Sequence, residues 1–204
     1  KPFRIAYTTT AWSGIPVDPE YTAATESIAK ELETLGHFVM EDSPQFDYEA
    51  FVLANARIWS VNTTTWADGI AAQMDRSIDS TTLEGTTLAC YEFGKTISAV
   101  ELEQARAIYN STCRRIAPFF EKYDVLLTPT IAKKPVAMGE IDSNRSDMDA
   151  VEWQHEIFSR FCPFTALFNV TGQPGISLPL CESTDGLPIG MQLVARFGDE
   201  ATLL

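Results

Sequence analysis

The chain closes with two short apolar runs, Ile176-Ser177-Leu178-Pro179-Leu180 and Ile189-Gly190-Met191-Gln192-Leu193-Val194. Each run has the length of a strand, and the Asp185-Gly186 pair between them is typical of a tight turn. The pattern therefore predicts two neighbouring strands at the carboxyl end of the chain.

The amino-terminal end shows a strand, a helix and a second strand. Apolar side chains at residues 3–7 and 38–40 predict the strands. Between them, Asp18 is a suitable N-cap, Pro19 fits the first helical position, and Gly36 stops the helix. A strand–helix–strand unit implies a parallel pair with a right-handed crossover, so the sequence predicts an α/β fold.

The middle of the chain is mainly helical. Residues 46–93 follow an irregular helical pattern, and Ser98 with Glu101 forms a capping box that opens a long helix. Residues 125–127 predict a short buried strand, and residues 151–161 predict a further helix. Helices and strands thus alternate along the whole chain, as expected for an α/β protein.

Composition and charge exclude several classes of partner. With 204 residues, of which 45% are hydrophobic, the chain can bury one substantial core. Its 15 basic and 28 acidic side chains give a net charge of −13, which repels nucleic acid and anionic membrane surfaces. No apolar run approaches the roughly 18 residues of a membrane span. We therefore expect neither a nucleic-acid nor a membrane partner.

The cysteines indicate the compartment. Cys90, Cys113, Cys162 and Cys181 stand far apart, without a CxxC pair or a histidine at metal-ligand spacing. Unpaired thiols without a disulfide pattern are typical of a reducing compartment, so the sequence predicts a cytoplasmic protein without a metal site.

No catalytic constellation can be assembled from these residues. A Ser-His-Asp triad needs a histidine, and we expect structural roles for His37 and His155. Ser177 lies within a strand, and neither it nor Ser13 has a base placed beside it by the sequence. The loop after the first strand lacks the glycine spacing of a phosphate-binding site.

Three motifs in order carry a resemblance to a known family. They are the helix start Asp18-Pro19-Glu20 with Leu35-Gly36-His37, the run Phe120-Glu121-Lys122-Tyr123-Asp124-Val125-Leu126-Leu127-Thr128-Pro129-Thr130, and the segment from Phe164 through Thr171-Gly172-Gln173-Pro174-Gly175 to Val194. Together they resemble the carboxyl-terminal half of the amidase signature family. The branch that looks most similar is that of the 6-aminohexanoate cyclic dimer hydrolases.

The resemblance implies a fold and a reaction. The family folds as an α/β/α sandwich with a mixed sheet covered by helices, and residues 1–204 correspond to the carboxyl-terminal portion of a single domain of this kind. Family members hydrolyse a carbon–nitrogen amide bond through a serine acyl-enzyme, with a second serine and a lysine. Those three residues precede the part represented here, so no catalytic residue is assigned in this chain.

The resemblance also implies partners and a substrate class. It implies no metal and no organic cofactor, a small-molecule amide substrate, the missing amino-terminal half of the domain as a partner, and a possible homodimer. The arginine that grips a carboxylate in the tRNA-dependent amidotransferase branch aligns near Tyr109. We therefore expect a neutral or aminoalkyl amide substrate, and no activity from the 204 residues alone.

Two criteria select substrate-pocket residues. The rule that α/β sites gather at the carboxyl ends of strands selects Trp12, Thr128, Pro129, Thr130 and Ile131. The resemblance adds Phe168, Asn169 and Gln173, which precede a strand inside the family motif. Trp59, Asn62 and Trp66 form a second set of candidates. For the aromatic residues core packing is the alternative interpretation, and Asn169 can instead tie loop backbone together.

Two other functions stay open on the sequence alone. The chain can be a non-catalytic α/β binding or scaffold domain, because it contains no nucleophile with an assigned base. It can also be a complete small hydrolase that uses Ser177 or Ser13. A Gly-Gly-Ser-Ser-like segment upstream in the same reading frame would favour the amidase.

Overall fold

The computed structural model describes residues 1–204 and shows an α/β fold with one mixed, five-stranded sheet. Contacts divide the chain into two compact units. The sheet unit comprises residues 1–46, 111–134 and 158–204, and the helical unit comprises residues 47–110 and 135–157. The predicted fold class is therefore confirmed.

The sheet has the strand order β2-β1-β3-β5-β4. The strands are β1 (Arg4–Tyr7), β2 (Phe38–Glu41), β3 (Val125–Pro129), β4 (Gly175–Glu182) and β5 (Pro188–Ala195). β1 pairs in parallel with β2 and β3, whereas β5 pairs antiparallel with β3 and β4. The parallel amino-terminal pair and the closing hairpin are both as predicted.

Helix α1 (Pro19–Thr34) connects β1 to β2, and the residues at its two ends fix where it begins and stops. The Asp18 carboxylate accepts a hydrogen bond from the Glu20 backbone N–H at 2.8 Å, and Gly36 takes a positive φ of 93° after the helix. The apolar face of α1 packs on one face of the sheet. The buried residues of this core are Ile5, Tyr21, Ala24, Ile28, Ala29, Val125, Leu127, Ile189 and Met191.

The helical unit is built around α2 (Tyr48–Met74) and α3 (Gly85–Thr96). α2 begins where the Asp47 carboxylate accepts from the Ala50 backbone N–H at 3.0 Å. It ends at Asp75, which adopts a left-handed conformation with φ 50°. The short α5 (Ala150–His155) packs against α2 and α3 within the same unit.

Helix α4 (Ala99–Lys122) starts at the predicted capping box. The Glu101 backbone N–H donates to Ser98 Oγ at 3.2 Å, and the Ser98 backbone N–H donates to Glu101 Oε2 at 3.0 Å. Residues 99–110 of α4 belong to the helical unit and residues 111–122 to the sheet unit. Each helix falls short of a membrane span in its length or in its apolar character.

The segment before the hairpin differs from the sequence prediction. The single helix expected at residues 151–161 ends as an α-helix at His155 and continues as a wider π-helix over Glu156–Phe161. α6 (Ala166–Thr171), which was not predicted, follows and ends at Gly172 with φ 77°. The chain finishes with a single 3₁₀ turn at Glu200–Thr202.

Candidate functional site

Trp12, in the loop after β1, lies at the centre of an aromatic cluster in the sheet unit. Its ring centroid is 5.8 Å from that of Phe164 and 5.8 Å from that of Phe168, both edge-on. The ring centroid of Phe46 also lies 5.8 Å from that of Trp12, and the Trp12 indole N–H donates to Ser43 Oγ at 3.0 Å. We call Trp12, Phe164 and Phe168 the aromatic wall.

The aromatic wall is fixed on one side and partly open on the other. Phe164 is fully buried and Phe168 is 6% exposed, whereas Trp12 is only half-buried. Phe168 also packs edge-on against Phe120, with centroids 6.4 Å apart. Edge-to-face contacts of this kind hold aromatic rings in defined orientations. The wall therefore presents a rigid apolar surface at the Trp12 side.

Gln192 connects this wall to the sheet. It is buried on β5, directly opposite Thr128 on β3. Its Nε2 donates to Thr128 Oγ1 at 3.1 Å and to the backbone carbonyl of Phe164 at 3.0 Å. Sequence reasoning selected Thr128 but missed Gln192 and Phe164. The available signal was a polar residue on each of two adjacent strands in an otherwise apolar sheet.

Thr130 and Ser177 form a second polar pair, with their hydroxyl oxygens 2.6 Å apart. Gly190 on the intervening strand β5 leaves room for it, because a Cβ there would lie 3.0 Å from Thr130 Oγ1 and 3.1 Å from Ser177 Oγ. Ser177 thus faces a neighbouring strand, as predicted. Ser13 Oγ donates to the Ser159 carbonyl at 2.9 Å. Neither serine hydroxyl is hydrogen-bonded to a histidine or a lysine, so neither is activated as a nucleophile.

The other predicted pocket residues are dispersed. Pro129 is buried in β3, and Ile131 packs against the apolar core under α1. Gln173 accepts a hydrogen bond from the Thr171 hydroxyl beside the end of α6. Asn169 is exposed and its side chain makes no hydrogen bond within the chain, so it does not tie loop backbone together. The structure therefore brings Trp12, Thr128 and Phe168 together through Phe164 and Gln192, and leaves the others apart.

The second set of candidates lies on α2 in the helical unit. Trp59 and Trp66 are 56% and 58% exposed, so their interpretation as core residues is wrong. With Asn62 and Thr63 they line a shallow groove of about 260 Å³. Two indoles flanking an amide side chain offer apolar contact together with one polar group.

A neutral polar network lies in the same unit. The Tyr109 hydroxyl donates to Asn55 Oδ1, and Asn55 Nδ2 donates to Gln154 Oε1 at 2.8 Å. Burial raises the pKa of Tyr109, so its hydroxyl stays protonated. Tyr109 is therefore an uncharged group whose hydroxyl is already paired.

The remaining reactive side chains have structural surroundings. His37 Nδ1 accepts from the Phe3 backbone N–H at 3.1 Å and its ring stacks on Phe3, which agrees with the predicted structural role. None of the cysteines forms a disulfide, and burial raises the pKa of the Cys90 and Cys162 thiols. No group of three or more His, Cys, Asp or Glu side chains is placed to hold a metal ion.

Comparison with known proteins adds an independent finding. The family model described as Amidase matches residues 1–204. The putative amidase AmiC of Mycobacterium leprae (strain TN) is 35% identical over 193 residues, which cover 91% of this chain and 38% of that protein. The lipoamidase of Enterococcus faecalis is 27% identical over 216 residues, covering 98% of this chain and 30% of that protein.

Solved structures give the same result. 6-Aminohexanoate cyclic dimer hydrolase superposes with a TM-score of 0.88 at 26% identity, covering 99% of this chain and 43% of that chain. A bacterial aryl acylamidase of the amidase signature family shares the fold, with a TM-score of 0.74 at 19% identity and coverage of 96% and 40% of the respective chains. The chain thus spans well under half the length of these relatives.

Proposed function

Because the chain belongs to the amidase family, we propose that it forms the carboxyl-terminal part of an enzyme that hydrolyses a carbon–nitrogen amide bond. The family match over residues 1–204 is the observation that carries this proposal. The proposal is also supported by the structural similarity between the chain and 6-aminohexanoate cyclic dimer hydrolase, which extends over 99% of the chain. The bond is a non-peptide amide, in keeping with the relatives named amidases.

The nucleophile and its base are proposed to come from outside these residues. In the acyl-enzyme route a serine oxygen attacks the amide carbonyl, the amine leaves with a proton, and water then hydrolyses the ester to an acid. Ser13 and Ser177 lack a neighbouring base, which favours a serine in the additional length that the relatives contain. Cytoplasmic location and a possible homodimer remain predictions.

In this proposal the sheet unit supplies part of the acyl pocket. The aromatic wall offers rigid apolar surface beside the carboxyl end of β3, where α/β sites gather. Burial of apolar surface contributes about 25 cal/mol for each Å², so such a wall binds the acyl chain while reacting groups lie elsewhere. Trp12, Thr128 and Phe168 are the pocket candidates that the geometry supports best.

The substrate is proposed to be a neutral or aminoalkyl amide. Tyr109 is neutral and its hydroxyl is already bonded to Asn55, so it offers no charge to a substrate carboxylate. The net charge of −13 also disfavours an anionic substrate. An enzyme from the longer gene that preferred glutamine to simple amides would contradict this substrate class.

Fluorophosphonate labelling with peptide mapping tests the location of the nucleophile. We expect no labelling of the 204-residue chain, and labelling of one serine outside residues 1–204 in the product of a longer gene that also hydrolyses amides. A label on Ser13 or Ser177, abolished by substitution of that serine with alanine, would instead identify a complete small hydrolase.

A non-catalytic binding or scaffold domain is the second candidate, favoured by the same unactivated serines. It predicts that the longer gene product also resists labelling and hydrolyses no amide. Retained binding of amides by that inactive product would support a binding domain.

A further inference from the structure

The carboxamide of Gln192 links the aromatic wall to the sheet, because its NH₂ group donates one hydrogen bond to each. Its two N–H bonds point to acceptors on different segments, Thr128 on β3 and the Phe164 carbonyl before α6. The residue is 7% exposed, and its strand neighbours Met191 and Val194 are fully buried. It is therefore a buried polar group in an apolar layer, held in place by its acceptors.

We propose that Gln192 is a positioning residue that sets where the aromatic wall stands relative to the carboxyl end of β3. This proposal rests on the amidase function proposed above and adds a residue that shapes its acyl pocket. Gln192 acts through Phe164 and has no contact with a substrate assigned to it.

The geometry explains why a carboxamide is needed at this position. A single NH₂ group has two N–H donors about 120° apart, which lets it bond two acceptors that belong to different segments. The Phe164 carbonyl belongs to the turn before α6. The ring of the same residue packs edge-on against Trp12, which also contacts Phe168. A shift of the Phe164 carbonyl therefore moves the Phe164 ring, and this ring orients Trp12.

Removal of the carboxamide leaves two acceptors without their donor. An unsatisfied buried carbonyl is costly, and the Phe164 segment can recover a partner only by moving toward water. This movement displaces Phe164 and loosens its edge-on contact with Trp12. Because the wall binds the acyl chain in ground state and transition state alike, the loss raises KM and leaves kcat nearly unchanged.

The test uses the enzyme encoded by the longer gene, with Gln192→Met as the main variant because methionine has a similar volume and no donor. We expect KM for an acyl amide to rise roughly tenfold with kcat within about twofold. In a background where Trp59, Trp66, Trp153 and any tryptophan outside residues 1–204 are replaced by phenylalanine, Trp12 emission should shift to the red and acrylamide quenching should increase.

Thr128→Val gives a second, milder variant that removes only the β3 acceptor. The carboxamide keeps its bond to Phe164 but loses its anchor, so the Trp12 emission should shift in the same direction by a smaller amount. This variant keeps the proposal testable if Gln192→Met does not fold.

Thr25→Val is the matched control. Thr25 is fully buried in α1, and its hydroxyl donates to the Tyr21 carbonyl at 2.8 Å and to Met191 Sδ at 3.5 Å. Met191 precedes Gln192 on β5 and belongs to the core under α1, so Thr25 lies on the sheet face opposite to Gln192. The control should lower thermal stability while KM and Trp12 emission stay unchanged. If Gln192→Met behaves like this control, the positioning role is wrong and the residue is only structural. If the unmodified enzyme hydrolyses no amide, the proposed function fails, and the Trp12 emission still decides the positioning role.

Discussion

At the scale of single residues, Asp124 makes an ion pair with Arg4 that both of its carboxylate oxygens share. Its Oδ1 lies 2.8 Å from Arg4 Nη2, and its Oδ2 accepts from the Arg4 backbone N–H at 2.8 Å. Arg196 approaches the same carboxylate at 3.7 Å. The hydrogen bonds from Arg4 lower the pKa of Asp124. The pair therefore fastens the residue before β3 to β1.

Asp124→Asn tests this contribution. Because the Asp124 side chain is 25% exposed and that of Arg4 48% exposed, solvent weakens the pair, and we expect a loss of about 1 kcal/mol in the free energy of unfolding at pH 7. Urea unfolding of both proteins measures it. Asp147→Asn is the control, since the Asp147 side chain is 67% exposed and its pair with Arg145 should contribute less than the pair of Asp124 with Arg4.

The sign of the pH dependence follows from the lowered pKa. A carboxyl group whose pKa is lower in the folded state stabilises the fold above its unfolded pKa of about 4. That stabilisation is lost as the pH falls through the folded value. The stability difference between wild type and Asp124→Asn should therefore be constant from pH 7 to about 5 and shrink toward zero at lower pH. A difference that grew on acidification would contradict the assignment.

At the scale of elements, the packing of α3 on α2 depends on one glycine. A Cβ on Gly94 would lie 2.2 Å from the Ser60 carbonyl oxygen and 2.3 Å from Thr64 Oγ1. The first of these atoms is backbone, so no rotamer change can relieve the clash. The Thr64 hydroxyl also donates to the Tyr91 carbonyl at 2.8 Å, which ties the two helices at the same place.

Gly94→Ala should therefore push the two helices apart and destabilise the protein by about 1–3 kcal/mol, the usual cost of overpacking. Gly69→Ala is the matched control, because Gly69 lies inside α2 with nothing within 4 Å of an added Cβ. Alanine is the better helix former, so the control should stabilise by about 0.5–1 kcal/mol. Thermal unfolding that moved both variants in the same direction would refute this account.

Most elements could be predicted from local chemistry. The ends of α1 and α4 follow from Asp18, Gly36 and the Ser98–Glu101 box, because capping depends on neighbouring residues alone. The continuous α2 was harder to predict, since the run Thr63-Thr64-Thr65 has low helix propensity and is held by packing on α3. The π-helix at residues 156–161 could not be predicted from the sequence. Its i→i+5 backbone hydrogen bonds replace the usual i→i+4 pattern, and no local residue pattern marks where this change occurs.

The site was predictable only in part, for a related reason. The rule of strand ends selects Trp12 and Thr128, which the structure connects through Phe164 and Gln192; their place in a substrate pocket stays a prediction. It also selects Ile131, which the sheet turns toward the apolar core. Gln192 was missed because its role depends on register, which places it opposite Thr128 only once β3 and β5 are paired.

At the scale of the whole molecule, the sheet has two free edges. β2 and β4 are the outer strands in the order β2-β1-β3-β5-β4. Phe38 and Met40 on β2 are 69% and 57% exposed, and Leu180 on β4 is 44% exposed. Unpaired strand edges with exposed apolar side chains favour pairing with another chain. The net charge of −13 opposes such association by repulsion between copies.

These opposing forces make self-association of the 204-residue chain dependent on salt. At about 10 mM salt the repulsion acts over roughly 30 Å, whereas at 0.1 M it is screened beyond about 10 Å. Sedimentation velocity should therefore show mainly the 22.6 kDa monomer at low salt and larger species as salt and protein concentration rise.

Phe38→Lys should suppress the larger species, because a charge at the edge blocks strand pairing. Met138→Lys makes the same change of charge at a fully exposed position outside the sheet, so it should leave association nearly unchanged and separate the edge effect from net charge. A single monomeric species under all salt conditions would show that the edges do not associate.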